Sequence, residues 1–209
     1  MSFIKVCGIT TEAQALEIAK MKPTHIGVIH FEKSPRHIDI YHIKKIKNLL
    51  KNYPVKLVAV VVNPKKSLIE ELLNIVDIVQ LHGDENLDFV KQFNKEKVIK
   101  AIRVKDEKFL KEIEKFSKKG YLVLIDAFKK GEYGGTGKQI DKNLVKEVLN
   151  ITDKFILSGG LSDENVYKLI KEFQPFGVDA SSKLEIKPGI KDLKKVKKYI
   201  EEAKKALKQ

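Results

Sequence analysis

The 209-residue chain contains one cysteine, two arginines and no run of eighteen apolar residues. A lone cysteine excludes an internal disulfide, which fits a reducing compartment. The missing apolar run excludes a membrane-spanning helix. From Met1 the chain moves straight into strand-like residues, without the charged, apolar and small-residue parts of a secretion signal. A cytoplasmic location is therefore expected, with no membrane partner. Neither Cys-x-x-Cys nor His-x-x-x-His occurs and carboxylates are not clustered, so no metal site is expected. No Gly-x-Gly-x-x-Gly follows the first strand, which argues against a dinucleotide, and no other cofactor motif appears.

Arginine is scarce although the net charge is +13. Arg36 and Arg103 are the only two, yet arginine is the residue suited to forked phosphate and base contacts. The lysines are dispersed through amphipathic patterns such as Ile43-Lys44-Lys45-Ile46-Lys47, where they form solvated faces. A nucleic-acid partner is not expected. The length suits one domain, residues 1–209, and an apolar share of 43% supports a full core.

Short β-branched runs alternate with longer amphipathic ones. Strands are expected at Phe3–Gly8, His25–His30, Lys56–Val62, Ile78–His82, Val98–Val104, Tyr121–Ala127, Lys154–Ser158 and Phe176–Ala180. Helices are expected at Glu12–Met21, Ile40–Lys51, Leu68–Ile75, Leu87–Phe93, Lys108–Lys118, Lys142–Leu149, Glu164–Phe173 and Leu193–Leu207. Thr11 with Gln14, and Ser67 with Glu70, have capping-box spacing, while Asp141, Asp163 and Asp192 suit N-caps. Eight strand-then-helix units imply parallel strands with crossover helices. In about 210 residues that favours a single-domain α/β (β/α)8 barrel over an open sheet.

A barrel places its active site at the C-terminal ends of its strands. Those ends carry Cys7, Ser34-Pro35-Arg36, Gln80-Leu81-His82-Gly83, Asp126, Ser158-Gly159-Gly160 and Asp179-Ala180-Ser181-Ser182. Cys7 is either a small buried hydrophobe or a thiol whose thiolate is favoured beneath a helix N-terminus. Asp126 either caps a loop or faces the mouth, partly desolvated, as a general acid. His82 is expected to hydrogen-bond the loop beyond Gly83. Lys5 shares the inward face with Cys7 and either lowers the thiol pKa or anchors a carboxylate. Gly159 and Gly160 with Ser181 and Ser182 form the pattern of a barrel phosphate site. The glycine-rich segment 128–138 is expected to cover a bound ligand. Together these residues describe proton shuffling on a sugar phosphate, an isomerase chemistry, with Arg36 free to fork onto a carboxylate of the substrate.

Lys5-Val6-Cys7-Gly8-Ile9-Thr10, Ser34-Pro35-Arg36, Val79-Gln80-Leu81-His82-Gly83, Asp126 with Gly134-Gly135-Thr136-Gly137, Ser158-Gly159-Gly160-Leu161-Ser162-Asp163-Glu164-Asn165-Val166, and Gly177-Val178-Asp179-Ala180-Ser181-Ser182 with Pro188-Gly189-Ile190-Lys191-Asp192 follow in order. The chain so resembles the phosphoribosylanthranilate isomerase family of tryptophan biosynthesis. That resemblance implies an Amadori rearrangement of N-(5'-phosphoribosyl)anthranilate to 1-(2-carboxyphenylamino)-1-deoxyribulose 5-phosphate, without a cofactor. It implies Asp126 as general acid and Cys7 as general base. It also implies Arg36 on the anthranilate carboxylate, Gly159, Gly160, Ser181 and Ser182 on the phosphate, and Asp179 ordering that rim. A monomer or a homodimer is compatible with it.

Two departures stand out. Lys183 occupies the place of a family glycine, so backbone strain is expected if that position needs φ > 0. His30 stands where the family tends to have an aromatic. The nearest alternative, the histidine-pathway aminoribotide isomerase, uses two aspartates, and Cys7 in the first strand argues against it.

Overall fold

β-Branched residues concentrate in eight short segments, and each pairs in parallel with the next. These are β1 (Phe3–Val6), β2 (His25–Ile29), β3 (Lys56–Val61), β4 (Ile78–Leu81), β5 (Val98–Arg103), β6 (Leu122–Asp126), β7 (Phe155–Ser158) and β8 (Gly177–Ala180). β8 returns to β1 and closes the barrel. The computed structural model describes residues 3–103, 108–126 and 142–207. Among the described residues, no helix is long and apolar enough to cross a membrane.

The helices are α1 (Glu12–Lys20), α2 (Ile40–Leu49), α3 (Lys66–Leu73), α4 (Leu87–Val90), α5 (Phe109–Lys118), α6 (Lys142–Leu149), α7 (Val166–Phe173) and α8 (Leu193–Leu207). After β8 the chain makes a 3-10 turn at Ser182–Leu184 and a small hairpin, β9 (Glu185–Lys187) with β10 (Ile190–Lys191).

Alternation along each strand sorts the side chains into two cores. Phe3, Val58, Ile78, Ile99, Leu124 and Ile156 fill the barrel interior. Ile4, Val6, Val28, Val79, Ile125 and Leu157 point outward and pack with helix residues such as Ile18, Ile43, Phe116 and Ile200. Truncating one such aliphatic side chain to alanine costs about 2–5 kcal/mol.

Strand and helix ends depart from the sequence pattern by one to three residues, the most at α4, which stops at Val90 and not at Phe93. Cys7 and Gly8 lie beyond β1, because the amides of Gly8 and Ile9 both turn to the carbonyl of Gly27. Thr11 caps α1 as expected, accepting from the amide of Gln14, and Asp192 caps α8. Ser67 is not the cap of α3: that helix begins at Lys66 behind Lys65, with no side-chain cap. α7 starts after Asn165, so Asp163 is not its N-cap. The expected ends at Val104 and Ala127, the cap at Asp141 and segment 128–138 lie outside the described residues.

Candidate active site

Lys5 is fully buried inside the barrel and pairs with Asp179 of β8 at 2.9 Å. Lys5 thus anchors a carboxylate, and its charge also acts to lower the Cys7 thiol pKa. Cys7 lies two residues further along, 5% exposed. The bare α-carbon of Gly27 makes the room: a Cβ there would fall 2.7 Å from Cys7 Sγ and 2.8 Å from Lys5 Cε.

Burial pushes the Cys7 thiol above its ordinary value, and the ammoniums of Lys5 and Lys191 only partly counter it. The expectation of a favoured thiolate is thus reversed in the free protein. Desolvation is the largest influence, and the Asp179 carboxylate adds to it by disfavouring a second negative charge. Lys5 itself is raised: burial works against its charge, but Asp179 and Cys7 outweigh that.

Asp126 ends β6 on the inward face, above Leu124 and Leu122 of the interior cluster. It faces His82, whose Nε2 is 3.7 Å from Asp126 Oδ2. Nδ1 of His82 lies 3.2 Å from Nε2 of the buried Gln80, an arrangement that suits a proton on Nε2. His82 therefore turns toward Asp126 and not to the loop beyond Gly83. That loop is held by Glu85, which accepts from the amides of Gly83 and Asn63 and pairs with Lys100 at 2.7 Å.

After β7, Gly159 and Gly160 both take left-handed backbone angles, φ of 90° and 73°. Among the described residues, no backbone carbonyl accepts from the amides of Gly159, Gly160 or Ser182. Asn165 fixes this loop: its side chain donates to the carbonyl of Gly160 and accepts from the amide of Ser162. Ser158 Oγ donates to Asp179 Oδ2 at 3.5 Å, which ties the loop to the Lys5–Asp179 pair. Ser181 and Ser182 open the neighbouring turn. Lys183 sits in that turn, exposed and without positive φ, so the expected strain is absent. Amides without a backbone partner, beside serine hydroxyls at a loop junction, suit a phosphate.

Arg36 is not an open fork. Its Nε and Nη2 donate to the two carboxylate oxygens of Glu185 at 2.8 and 2.6 Å. His30, nearby, bonds the carbonyl of Ile38 through Nδ1 and stacks obliquely on His37. Among the described residues, no cluster of three or more His, Cys, Asp or Glu suited to a metal is present.

A cavity of about 610 Å3 opens elsewhere, among Leu149, Asp153, Lys154, Glu172 and Phe176 beside the start of β7. None of Cys7, Asp126 or the glycine and serine loops lines it.

The family model for N-(5'-phosphoribosyl)anthranilate isomerase matches residues 4–202. The chain belongs to that family. An isomerase of this name from Sulfurihydrogenibium sp. is 55% identical over 198 residues, covering 95% of this chain and 97% of its own. The crystal structure of the Thermotoga maritima phosphoribosylanthranilate isomerase superposes with a TM-score of 0.88 at 33% identity, covering 98% of this chain and 100% of that one. A phosphoribosylanthranilate isomerase in complex with reduced 1-(o-carboxyphenylamino)-1-deoxyribulose 5-phosphate superposes at 0.84 with 30% identity, again covering 98% and 100%.

Within this phosphoribosylanthranilate isomerase fold, five groups with buried side chains carry no role in the sequence reading: Gln80, Glu85, Lys100, Glu185 and Lys191. Gln80 and Lys191 lie inside the quoted motifs, but a motif names residues without saying which face each other. Lys191 is buried and bonds Glu185 at 2.7 Å, a contact that exists only because the β9–β10 hairpin folds back.

Proposed function

We propose that the chain, acting as one barrel domain in the cytoplasm, catalyses the Amadori rearrangement of N-(5'-phosphoribosyl)anthranilate. Asp126 donates a proton to the furanose ring oxygen, and the bond from that oxygen to C1' breaks to give a Schiff base. Cys7, as thiolate, then removes the proton from C2'. The resulting enolamine tautomerises to the ketone, 1-(2-carboxyphenylamino)-1-deoxyribulose 5-phosphate.

Gly159, Gly160, Ser181 and Ser182 hold the phosphate, and Arg36 receives the anthranilate carboxylate. Lys5 and Asp179 support Cys7 and the rim, and His82 supports Asp126. Because Cys7 rests as a thiol, it must lose its proton before it acts. The nearby Lys5 and Lys191 ammoniums favour that ionised form. Every named group comes from one chain, so a monomer or a homodimer serves equally.

The observation that carries this reading is the family match over residues 4–202 together with Cys7 and Asp126 on one inward rim. The test is the fluorescence decay of phosphoribosylanthranilate on adding the protein. A decay far above the spontaneous rate is expected, and none above it rejects the function.

A further inference from the structure

Arg36 meets Glu185 by one edge only. Nε and Nη2 are taken, while Nη1 has no hydrogen-bond partner among the described residues, and the side chain is 12% exposed. A guanidinium carries five N–H donors in a planar fork, so the edge of Nη1 and the second Nη2 hydrogen is left for another acceptor.

Glu185 is itself held from several sides. Its Oε1 accepts from Arg36 Nε, from Lys191 Nζ at 2.7 Å and from the amide of Gly189 at 3.4 Å. The hairpin that carries it is fastened to the loop after β1. Thr10 Oγ1 and Gln14 Nε2 donate to the carbonyl of Gly189, and the amide of Lys191 donates to Gln14 Oε1. Lys191 also reaches the carbonyl of Ser181 at 3.1 Å, beside the phosphate loop. Arg36 lies against the Cys7–Gly8 turn, its Cδ within 2.7 Å of where a Gly8 side chain would begin.

Charge decides what this cluster can receive. Arg36 with Glu185 alone sums to zero, and Glu185 would repel a second carboxylate close by. Lys191 restores a net charge of +1 over the three groups. Arg36 and Lys191 keep the Glu185 carboxyl below its usual range in spite of its burial. The result is a rigid, positively charged fork with one face open.

Resting on the function proposed above, we infer that Glu185 and Lys191 are positioning residues that aim the free edge of Arg36 at the substrate's ring carboxylate. Glu185 fixes the orientation of the guanidinium, and Lys191 cancels the repulsion Glu185 would exert. Preference for a carboxylate-bearing aglycone is thus set by three residues, two of which never touch the substrate.

A double-mutant cycle on N-(5'-phosphoribosyl)anthranilate turnover tests this. Glu185→Ala is expected to raise KM about tenfold, with kcat changed far less, since the lost interaction is with bound substrate. Lys191→Met is expected to raise KM in the same direction. Because Glu185 acts through Arg36, Arg36→Ala and the double variant Arg36→Ala/Glu185→Ala are expected to have the same KM. Should Glu185→Ala fail to fold, Glu185→Gln replaces it in the cycle. KM penalties that multiply in the double variant, or an unchanged KM in the single one, overturn the inference and leave the function standing. A wild-type chain without turnover overturns both.

Discussion

Lys5 and Asp179 face each other across the β1–β8 seam, register partners 2.9 Å apart and both buried. The pair sits on the inward face beside Cys7, so the thiol meets a cation whose own counter-ion is already in place. Removing one partner leaves a buried charge uncompensated. Lys5→Met is therefore expected to destabilise the fold by about 3–5 kcal/mol in urea denaturation. A loss under 1 kcal/mol would show that the pair does not hold the seam.

The acid–base pair is tested by Cys7→Ser and Asp126→Asn. Each is expected to lose several orders of magnitude in turnover, while circular dichroism and melting temperature stay close to the parent. Near-normal turnover in either variant rejects that residue's role.

The pH dependence has a definite sign. Burial holds the Cys7 thiol above its ordinary value of 9.0, so the thiolate fraction in the free protein grows as pH rises through and beyond 9. Because the reaction needs Asp126 protonated and Cys7 ionised together, the Cys7 ionisation shows alone only where the acid is removed: in Asp126→Asn the logarithm of the residual kcat/KM should climb with unit slope over pH 7–9. A plateau reached below pH 8 would contradict it. Thiolate absorbance in the ultraviolet should titrate over the same alkaline range and vanish in Cys7→Ser.

Acid stability turns on His25. Its ring stacks on Phe3 with centroids 3.8 Å apart and Nδ1 meets Thr24 Oγ1 at 2.7 Å, and burial first, then the Lys56 and Lys5 charges, lowers its pKa to about 3. An unfolded chain protonates this ring near 6.5, whereas the folded one does so only near 3. Between those values the unfolded state binds more protons, so stability falls as pH falls. At about 1.4 kcal/mol per unit the total reaches several kcal/mol. Melting temperature should drop from pH 6.5 toward 4, and His25→Gln should flatten that slope. An equal slope in the variant would assign the acid sensitivity elsewhere.

Gly27 gives a steric test. A methyl there would lie 2.7 Å from Cys7 Sγ and 3.1 Å from the Cys7 α-carbon, and the backbone cannot step aside cheaply. Gly27→Ala is expected to cut kcat at least tenfold, because small misplacements of a catalytic group are costly. Unchanged kcat would mean that the thiol has more freedom than this packing allows.

Local pattern alone determined the order of elements. Strands buried on both faces read as continuous β-branched runs, and eight of them alternating with amphipathic helices leave a closed barrel as the compact solution. Period-two alternation likewise put Lys5, Cys7 and Asp126 on inward faces, and strand polarity put their rim at one end. What a neighbouring strand or hairpin supplies was beyond that reading. The thiol of Cys7 is raised and not lowered because the closed barrel buries it, and burial is a property of all eight strands together. Arg36 is already half engaged because Glu185, 149 positions away, folds back on a hairpin fastened to the β1 loop. His82 turns to Asp126, and Lys5 to Asp179, across distances in sequence that no local spacing encodes. Sequence order determined which groups stand on the rim; tertiary packing decided their partners, because burial and charge pairing arise only between segments that the fold brings together.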